Sequence, residues 1–172
     1  MNRIIPLFLL ILFLDGCTPP QAAIPSVEYS DHDISGQQRW SDATRSIVAA
    51  ARRQLGTPYR YGWMRGYEGF DCSGFVCYVY KEALGKKLPR TARAQSRYVE
   101  RLPKSELRAG DLLFFDTRYG GNGPVNHCGI YLGNGTFIHA SSGKANGVTI
   151  SPLESGFYKK RFKWGGRVRR YR

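Results

Sequence analysis

The stretch Gly69-Phe70-Asp71-Cys72-Ser73-Gly74-Phe75-Val76 runs a polar, glycine-bearing turn straight into an apolar pattern at helical spacing. Asp71 is placed to cap that helix, and Phe75, Val76, Val79 and Ala83 mark its buried face. The first turn of a helix presents unpaired N–H groups and the positive end of the helix dipole. A thiol held there ionises more readily, and the thiolate is the nucleophile. Cys72 is therefore a candidate nucleophile. The competing reading is a half-buried structural cysteine, and a base elsewhere in the chain must decide between them.

Upstream, Gly56-Thr57-Pro58-Tyr59-Arg60-Tyr61-Gly62 reads as an extended turn leading toward Cys72, with residues 63–69 as loop. Before it, Ser41 or Asp42 can cap a first helix that places Ile47, Val48, Ala51 and Leu55 on one face. The folded domain is thus expected over residues 40–172. Downstream, Gly85 ends the cysteine-bearing helix, and Leu88-Pro89-Arg90-Thr91-Ala92 opens a third that reaches about Val99. From Gly110 the pattern turns to strands at 111–116, 127–132, 136–140, 148–150 and 168–171, with a glycine-rich loop at 117–125. Helices first and strands later predict an α+β fold, with helices packed on an antiparallel sheet of five or six strands.

The base is sought among the histidines. His32 falls before the domain, leaving His127 and His139. Histidine suits an ionising thiol because its ordinary pKa lies near neutrality. If all of Gly133-Asn134-Gly135 is loop, Gly129 pairs with His139, and His127 shares their face as a diagonal neighbour. A two-residue turn would set the histidines on opposite faces. A catalytic pair therefore predicts a three-residue loop with a left-handed glycine. In that arrangement His127 takes the Cys72 proton and His139 orients His127.

The ends of the chain carry other signals. Arg3 followed by the apolar run Ile4–Leu14 reads as a signal segment over 1–16, too short to span a bilayer. The sequence Leu14-Asp15-Gly16-Cys17 resembles the lipobox of bacterial lipoproteins, with Asp15 a departure from the usual small residue. The resemblance implies a lipidated Cys17 and a membrane anchor. Thr18, where an Asp retains such proteins at the inner membrane, leans toward the outer membrane and the periplasm. The competing reading is a cleaved signal and a soluble secreted protein. Residues 17–39, with Pro19, Pro20 and Pro25, read as a flexible tether.

The 172-residue chain has a net charge of +13, from 26 Lys+Arg against 13 Asp+Glu. That favours an anionic partner. With export, an anionic envelope polymer or lipid head groups fit better than nucleic acid. The basic run from Lys159 to Arg172 also fits an exposed edge strand guarded by charge. Four cysteines without a C-x-x-C pair argue against a disulfide scaffold and a structural zinc site. Cys77 and Cys128 read as core, and a bridge between them is left open.

The chain as a whole resembles the NlpC family of bacterial cell-wall cysteine peptidases, with a papain-like α+β core. The resemblance rests on Gly56–Gly62, Phe70-Asp71-Cys72-Ser73-Gly74-Phe75, Leu88-Pro89-Arg90-Thr91, Gly110-Asp111-Leu112, His127-Cys128-Gly129-Ile130-Tyr131-Leu132-Gly133 and Ile138-His139-Ala140, in the family's order over residues 43–171. It implies Cys72 as nucleophile, His127 as base and His139 as its orienter. It implies further that Tyr59 helps form the oxyanion hole and that Asp71 and Ser73 hold the substrate's peptide stem. Gly62-Trp63 stands where the family usually has Gly-Gly, and Cys128 replaces a common valine. The activity implied is hydrolysis of peptidoglycan stem peptides or cross-links by a monomer, with no cofactor or metal. Two alternatives remain: a related papain-like amidase or acyltransferase, and a non-catalytic wall-binding lipoprotein.

Overall fold

Leu112-Leu113-Phe114-Phe115 is apolar at every position, so this strand must be covered on both faces. The computed structural model, which describes residues 42–154 and 156–169, shows how. The strand (β4, Leu112–Phe115) lies inside a six-stranded antiparallel sheet. The other strands are β3 (Val99–Leu102), β5 (His127–Gly133), β6 (Thr136–Ser141), β7 (Gly147–Pro152) and β8 (Phe162–Val168). Their order is β3-β8-β4-β5-β6-β7. Leu112 and Phe114 join the core under the helices, together with Cys128, Ile130, Ile138 and Ala140. Leu113 and Phe115 form a second, smaller cluster with Phe137 and Leu153 on the other face. The α+β architecture expected from the sequence is the one present.

The helices α1 (Asp42–Arg52), α2 (Cys72–Leu84) and α3 (Ala92–Tyr98) precede most of the sheet, and a short α4 (Gly156–Lys159) precedes β8. Ile47, Val48 and Ala51 of α1 and Phe75, Val76 and Val79 of α2 fill the larger core. Asp71 caps α2, accepting from Gly74 N at 2.6 Å. Gly85 closes it in a left-handed conformation, φ +65°, with its N–H on Lys81 O. A two-stranded ribbon, β1 (Met64–Arg65) and β2 (Gly69–Phe70), leads into α2. Fully buried Phe70 packs its ring 5.8 Å from Phe75 and 5.1 Å from Tyr78, which fixes the entry to the helix.

Several boundaries differ from expectation. Helix α1 stops at Arg52, and Leu55 is exposed rather than buried, because the following turn carries it off the apolar face. The third helix begins at Ala92, where the Thr91 hydroxyl accepts from Ala94 N. The strand β3 had no signal of its own in the sequence. The closing strand lies at 162–168 instead of 168–171, and it is internal, between β3 and β4. It is therefore no charge-guarded edge. Its place depends on Gly165 and Gly166. A Cβ at Gly165 would fall 2.4 Å from Leu107 Cδ2, and one at Gly166 would fall 2.5 Å from Val99 Cγ2. Arg167 is not a free charge either. It grips the buried carboxylate of Asp111 through Nε and Nη2, both at 2.8 Å.

The β5–β6 hairpin also departs from the expected three-residue loop. Gly133 pairs with Thr136, so the turn is Asn134-Gly135, with φ of +48° and +70°, the pattern of a type I′ turn. Beside it, Leu132 is an extra, bulged residue between the Tyr131–Phe137 and Gly133–Thr136 pairs. The bulge shifts the register by one and so undoes the inversion of faces that a two-residue turn imposes. The proposed signal segment 1–16, the lipidation residue Cys17, the tether to residue 39 and residues 40–41 lie outside the described residues.

Candidate active site

Cys72 is the first residue of α2, half-buried, and its Sγ faces the Asn126 carbonyl at 4.0 Å. The carbonyl belongs to the residue just before β5, so the strand delivers His127 beside the helix start. His127 interacts with the thiol. Its Nε2 is engaged 2.9 Å from Nδ1 of His139, leaving Nδ1 for the sulfur. Register carries the second histidine to the first. Ile130 pairs with Ile138, so Gly129 stands opposite His139, and His127 is the diagonal neighbour on the same face. Gly129 is required there: a Cβ would lie 2.8 Å from Phe137 Cδ2 and 3.0 Å from His139 Cβ.

The line does not end at His139. Its Nε2 sits 3.0 Å from Ser151 Oγ on β7. Tyr158 of α4 packs edge-on to His139 with centroids 5.2 Å apart, and its hydroxyl meets Ser141 and Ser151. A protonated His127 carries a hydrogen on each ring nitrogen, so its Nε2–H donates to His139 Nδ1. His139 must then carry its own hydrogen on Nε2 and donate it to Ser151. Burial, with the charge on His127 adding to it, pushes the His139 pKa down to about 2, which keeps this ring neutral.

The thiol of Cys72 is held well below the usual range. The Cys128 thiol beside it contributes most, and a hydrogen bond and charge from His127 add to this against the opposing effect of burial. Cys128 is fully buried, and its Sγ also lies 3.3 Å from Gln95 Oε1. Burial, together with the adjoining Cys72, pushes the Cys128 thiol well up. Cys77 shares Gln95 from the other side, 3.3 Å from its Nε2. All three are free thiols.

Asp71 and Ser73 flank the thiol in a dense network. Arg90 forks onto the Asp71 carboxylate, Nη1 to Oδ1 at 2.9 Å and Nη2 to Oδ2 at 2.6 Å, and reaches Ser73 Oγ at 3.0 Å. Gly62 N adds a bond to Asp71 Oδ2 at 2.9 Å, which ties the 60–65 turn to the helix start. Gly74 accommodates that turn, since a Cβ there would fall 2.1 Å from Trp63 O. Tyr59 lines up against Phe70 and packs on the helix-side core. Burial and the neighbouring Cys72 push its phenol up to about 12, so at neutral pH it is a hydrogen-bond donor.

Four groups here escaped the sequence reading as site residues: Arg90, Asp116, Asn126 and Ser151. Asp116 is fully buried and cages the glycine loop. It accepts from Tyr119 N at 2.9 Å, Gly121 N at 3.1 Å, Gly123 N at 2.7 Å and Asn126 Nδ2 at 2.6 Å. Burial alone would raise its pKa, but these donors outweigh it and hold the carboxyl well below its usual range. The cage fixes Asn126, and with it the carbonyl that faces Cys72. Only the glycines of the loop and the closing Asn126-His127 hinted at this.

A thiol at a helix start, facing two histidines on an antiparallel sheet, defines a papain-like α+β hydrolase scaffold. The NlpC/P60 family model matches residues 56–167, and the chain belongs to that family. It is 38% identical over 160 residues to the probable endopeptidase NlpC of Escherichia coli K12, covering 91% of this chain and 92% of the relative. It is 36% identical to the murein DD-endopeptidase MepS/murein LD-carboxypeptidase of the same strain, over 83% of this chain and 72% of the relative. Murein DD-endopeptidase MepH of that strain is 37% identical over 73% of this chain, which spans 46% of that relative's length. Among solved structures, an NlpC/P60 family protein from Bacillus cereus ATCC 10987 superposes with a TM-score of 0.67 at 34% identity, covering 73% of this chain and 40% of that one. The peptidoglycan hydrolase RipB of Mycobacterium tuberculosis gives 0.60 at 31% identity, over 75% of this chain and 66% of its own.

Proposed function

We infer that this chain is a cysteine-type endopeptidase of the bacterial cell wall, which hydrolyses amide bonds in peptidoglycan stem peptides or their cross-links. Its relatives are named as such enzymes. The observation that carries the mechanism is the continuous line from Cys72 through His127 and His139 to Ser151. The Cys72 thiolate attacks the carbonyl carbon. The oxyanion is met by the Cys72 backbone N–H, one of the unpaired donors of the first helical turn, and by the Tyr59 hydroxyl. His127 gives its Nδ1 proton to the leaving amine as the C–N bond breaks, and a thioester remains. Water then loses a proton to His127 and attacks the thioester, releasing the acid and the thiol. Asp71, Ser73 and Arg90 sit beside the sulfur, where they serve the substrate's polar backbone.

The test is digestion of purified peptidoglycan, with products weighed by mass spectrometry. Cys72→Ala and His127→Ala abolish fragment release while circular dichroism shows an intact fold. A folded Cys72→Ala protein that still cuts would overturn the mechanism. The Leu14-Asp15-Gly16-Cys17 stretch supports a lipid anchor on Cys17, and Thr18 supports an outer-membrane address facing the periplasm. Labelled palmitate should enter the wild-type chain and not Cys17→Ser.

A further inference from the structure

Away from the thiol, on the helix-bearing side of the sheet, a cavity of about 480 Å³ opens between α3, β3, β8 and the 124–125 segment. Its charged lining is entirely basic: Arg93 and Arg97 of α3 and Arg101 of β3. Its apolar lining includes Val99, Val125 and Trp164. The Arg101 guanidinium lies 3.5 Å from the Trp164 ring centroid, and stacking on that face leaves its in-plane N–H groups directed away from the ring. Arg93 and Arg97 stand one helical turn apart. Like charges at that spacing weaken a helix, and none of the ion pairs among the described residues uses any of the three arginines. The indole N–H of Trp164 is buried and has no acceptor among the described residues. Three unneutralised guanidiniums around an apolar floor form a site suited to an anion attached to a carbon chain. The cavity is far larger than a bare ion needs.

We propose that this cavity is a second substrate site, which takes the free carboxylates of a wall peptide while the bond to be cut lies at Cys72. The proposal rests on the endopeptidase reading above. The location argues for the substrate itself over a lipid phosphate. Val125 lines the cavity, and the next residue, Asn126, turns its carbonyl to the Cys72 sulfur. One peptide, or two joined by a cross-link, therefore reaches both places across a single strand of backbone. The same loop is anchored by the Asp116 cage, so the two sites keep a fixed spacing.

The test uses the full chain and the exposed pair Arg93→Gln/Arg97→Gln, with Arg101 left on Trp164. Hydrolysis is measured on a free-acid stem peptide and on the same peptide with its carboxylates amidated. In the wild type the free acid has the lower KM. In the double variant that preference falls by about tenfold, through KM and not kcat. An unchanged preference, or an equal rise in KM for both peptides, overturns the proposal. A second arm does not depend on turnover: the free-acid peptide is titrated into Cys72→Ala with and without the arginine changes. Weaker binding in the arginine variant supports the site even if no wall bond is cut, and equal binding overturns it. Loss of binding to phosphatidylglycerol vesicles with peptide binding intact would make the cavity a lipid site and also overturn it.

Discussion

His139 occupies the third position of the proposed triad with His127 and Ser151 as its hydrogen-bond partners among the described residues, and its burial has a thermodynamic consequence. Its ring is fully buried, stacked 4.7 Å from Phe137 and hydrogen-bonded to His127 and Ser151. Its pKa falls from 6.5 to about 2. Between those values the unfolded chain binds a proton that the folded chain refuses, so this group's contribution to stability falls as pH falls. From pH 7 to pH 5 the loss is about 2 kcal/mol, set by the unfolded value alone as long as the folded pKa stays below 5. Urea unfolding of the wild type and His139→Gln at both pH values checks this. The wild type should lose about 2 kcal/mol more than the variant on acidification, and a gap that stays constant would refute the buried, neutral ring. The same ring shows what one residue's identity conveys. The sequence placed His139 on a core strand and on the face of His127. It did not reveal Ser151, because a serine twelve positions away carries no signal until two strands are in register.

At the scale of elements, the hairpin shows how pattern and chain geometry part company. Residue types named the strands correctly, since the alternation of His127, Gly129 and Tyr131 against Cys128 and Ile130 is local information. The turn differs from the three-residue loop expected from the sequence because a loop count assumes a regular ladder. The structure uses the tighter Asn134-Gly135 turn and then spends one residue, Leu132, on a bulge. Both routes put the histidines on one face, so the functional requirement was legible and its solution was not. Strand β8 makes the same point in reverse. Its lysines and arginines read as solvated, yet Gly165 and Gly166 let it slide between β3 and β4, with Arg167 neutralised by Asp111. Pairing partners far apart in sequence leave no trace in periodicity. The hairpin's precision is testable at Gly129. Ala at this position drives a methyl into Phe137, the Ile138 carbonyl and the His139 Cβ. Overpacking of this kind costs about 1–3 kcal/mol. Displacing the histidine pair by a fraction of its contact distance lowers kcat by about 100-fold. Thermal melts and turnover of Gly129→Ala measure the two effects separately, and wild-type kcat in that variant would mean the pair has more freedom than its packing implies.

For the whole molecule, the excess of positive charge divides into a part used by the fold and a part that faces outward. Arg90 and Arg167 are bound to buried carboxylates, and Lys163 donates to the Gly121 carbonyl at 2.7 Å. Arg60 and Arg65 both lie against Trp63, 5.2 and 5.8 Å from its ring centroid, in the turn tied to Asp71 at the helix start. With Arg93, Arg97 and Arg101 on α3 and β3, cationic groups thus stand on separate elements around the thiol-bearing helix. A net charge of +13 on 172 residues also raises the local concentration of an acidic polymer before any specific contact forms. Such attraction acts over about 10 Å at 0.1 M salt and is screened above it. The chemical steps proposed at Cys72 belong to a half-buried, hydrogen-bonded site that salt reaches poorly. Raising the salt from about 20 to about 200 mM should therefore raise KM for an acidic wall peptide several-fold and leave kcat unchanged. The amidated peptide should show little of this dependence. If both substrates respond alike, the charge serves solubility alone, and substrate capture must come from the hydrogen bonds at Asp71, Ser73 and Arg90.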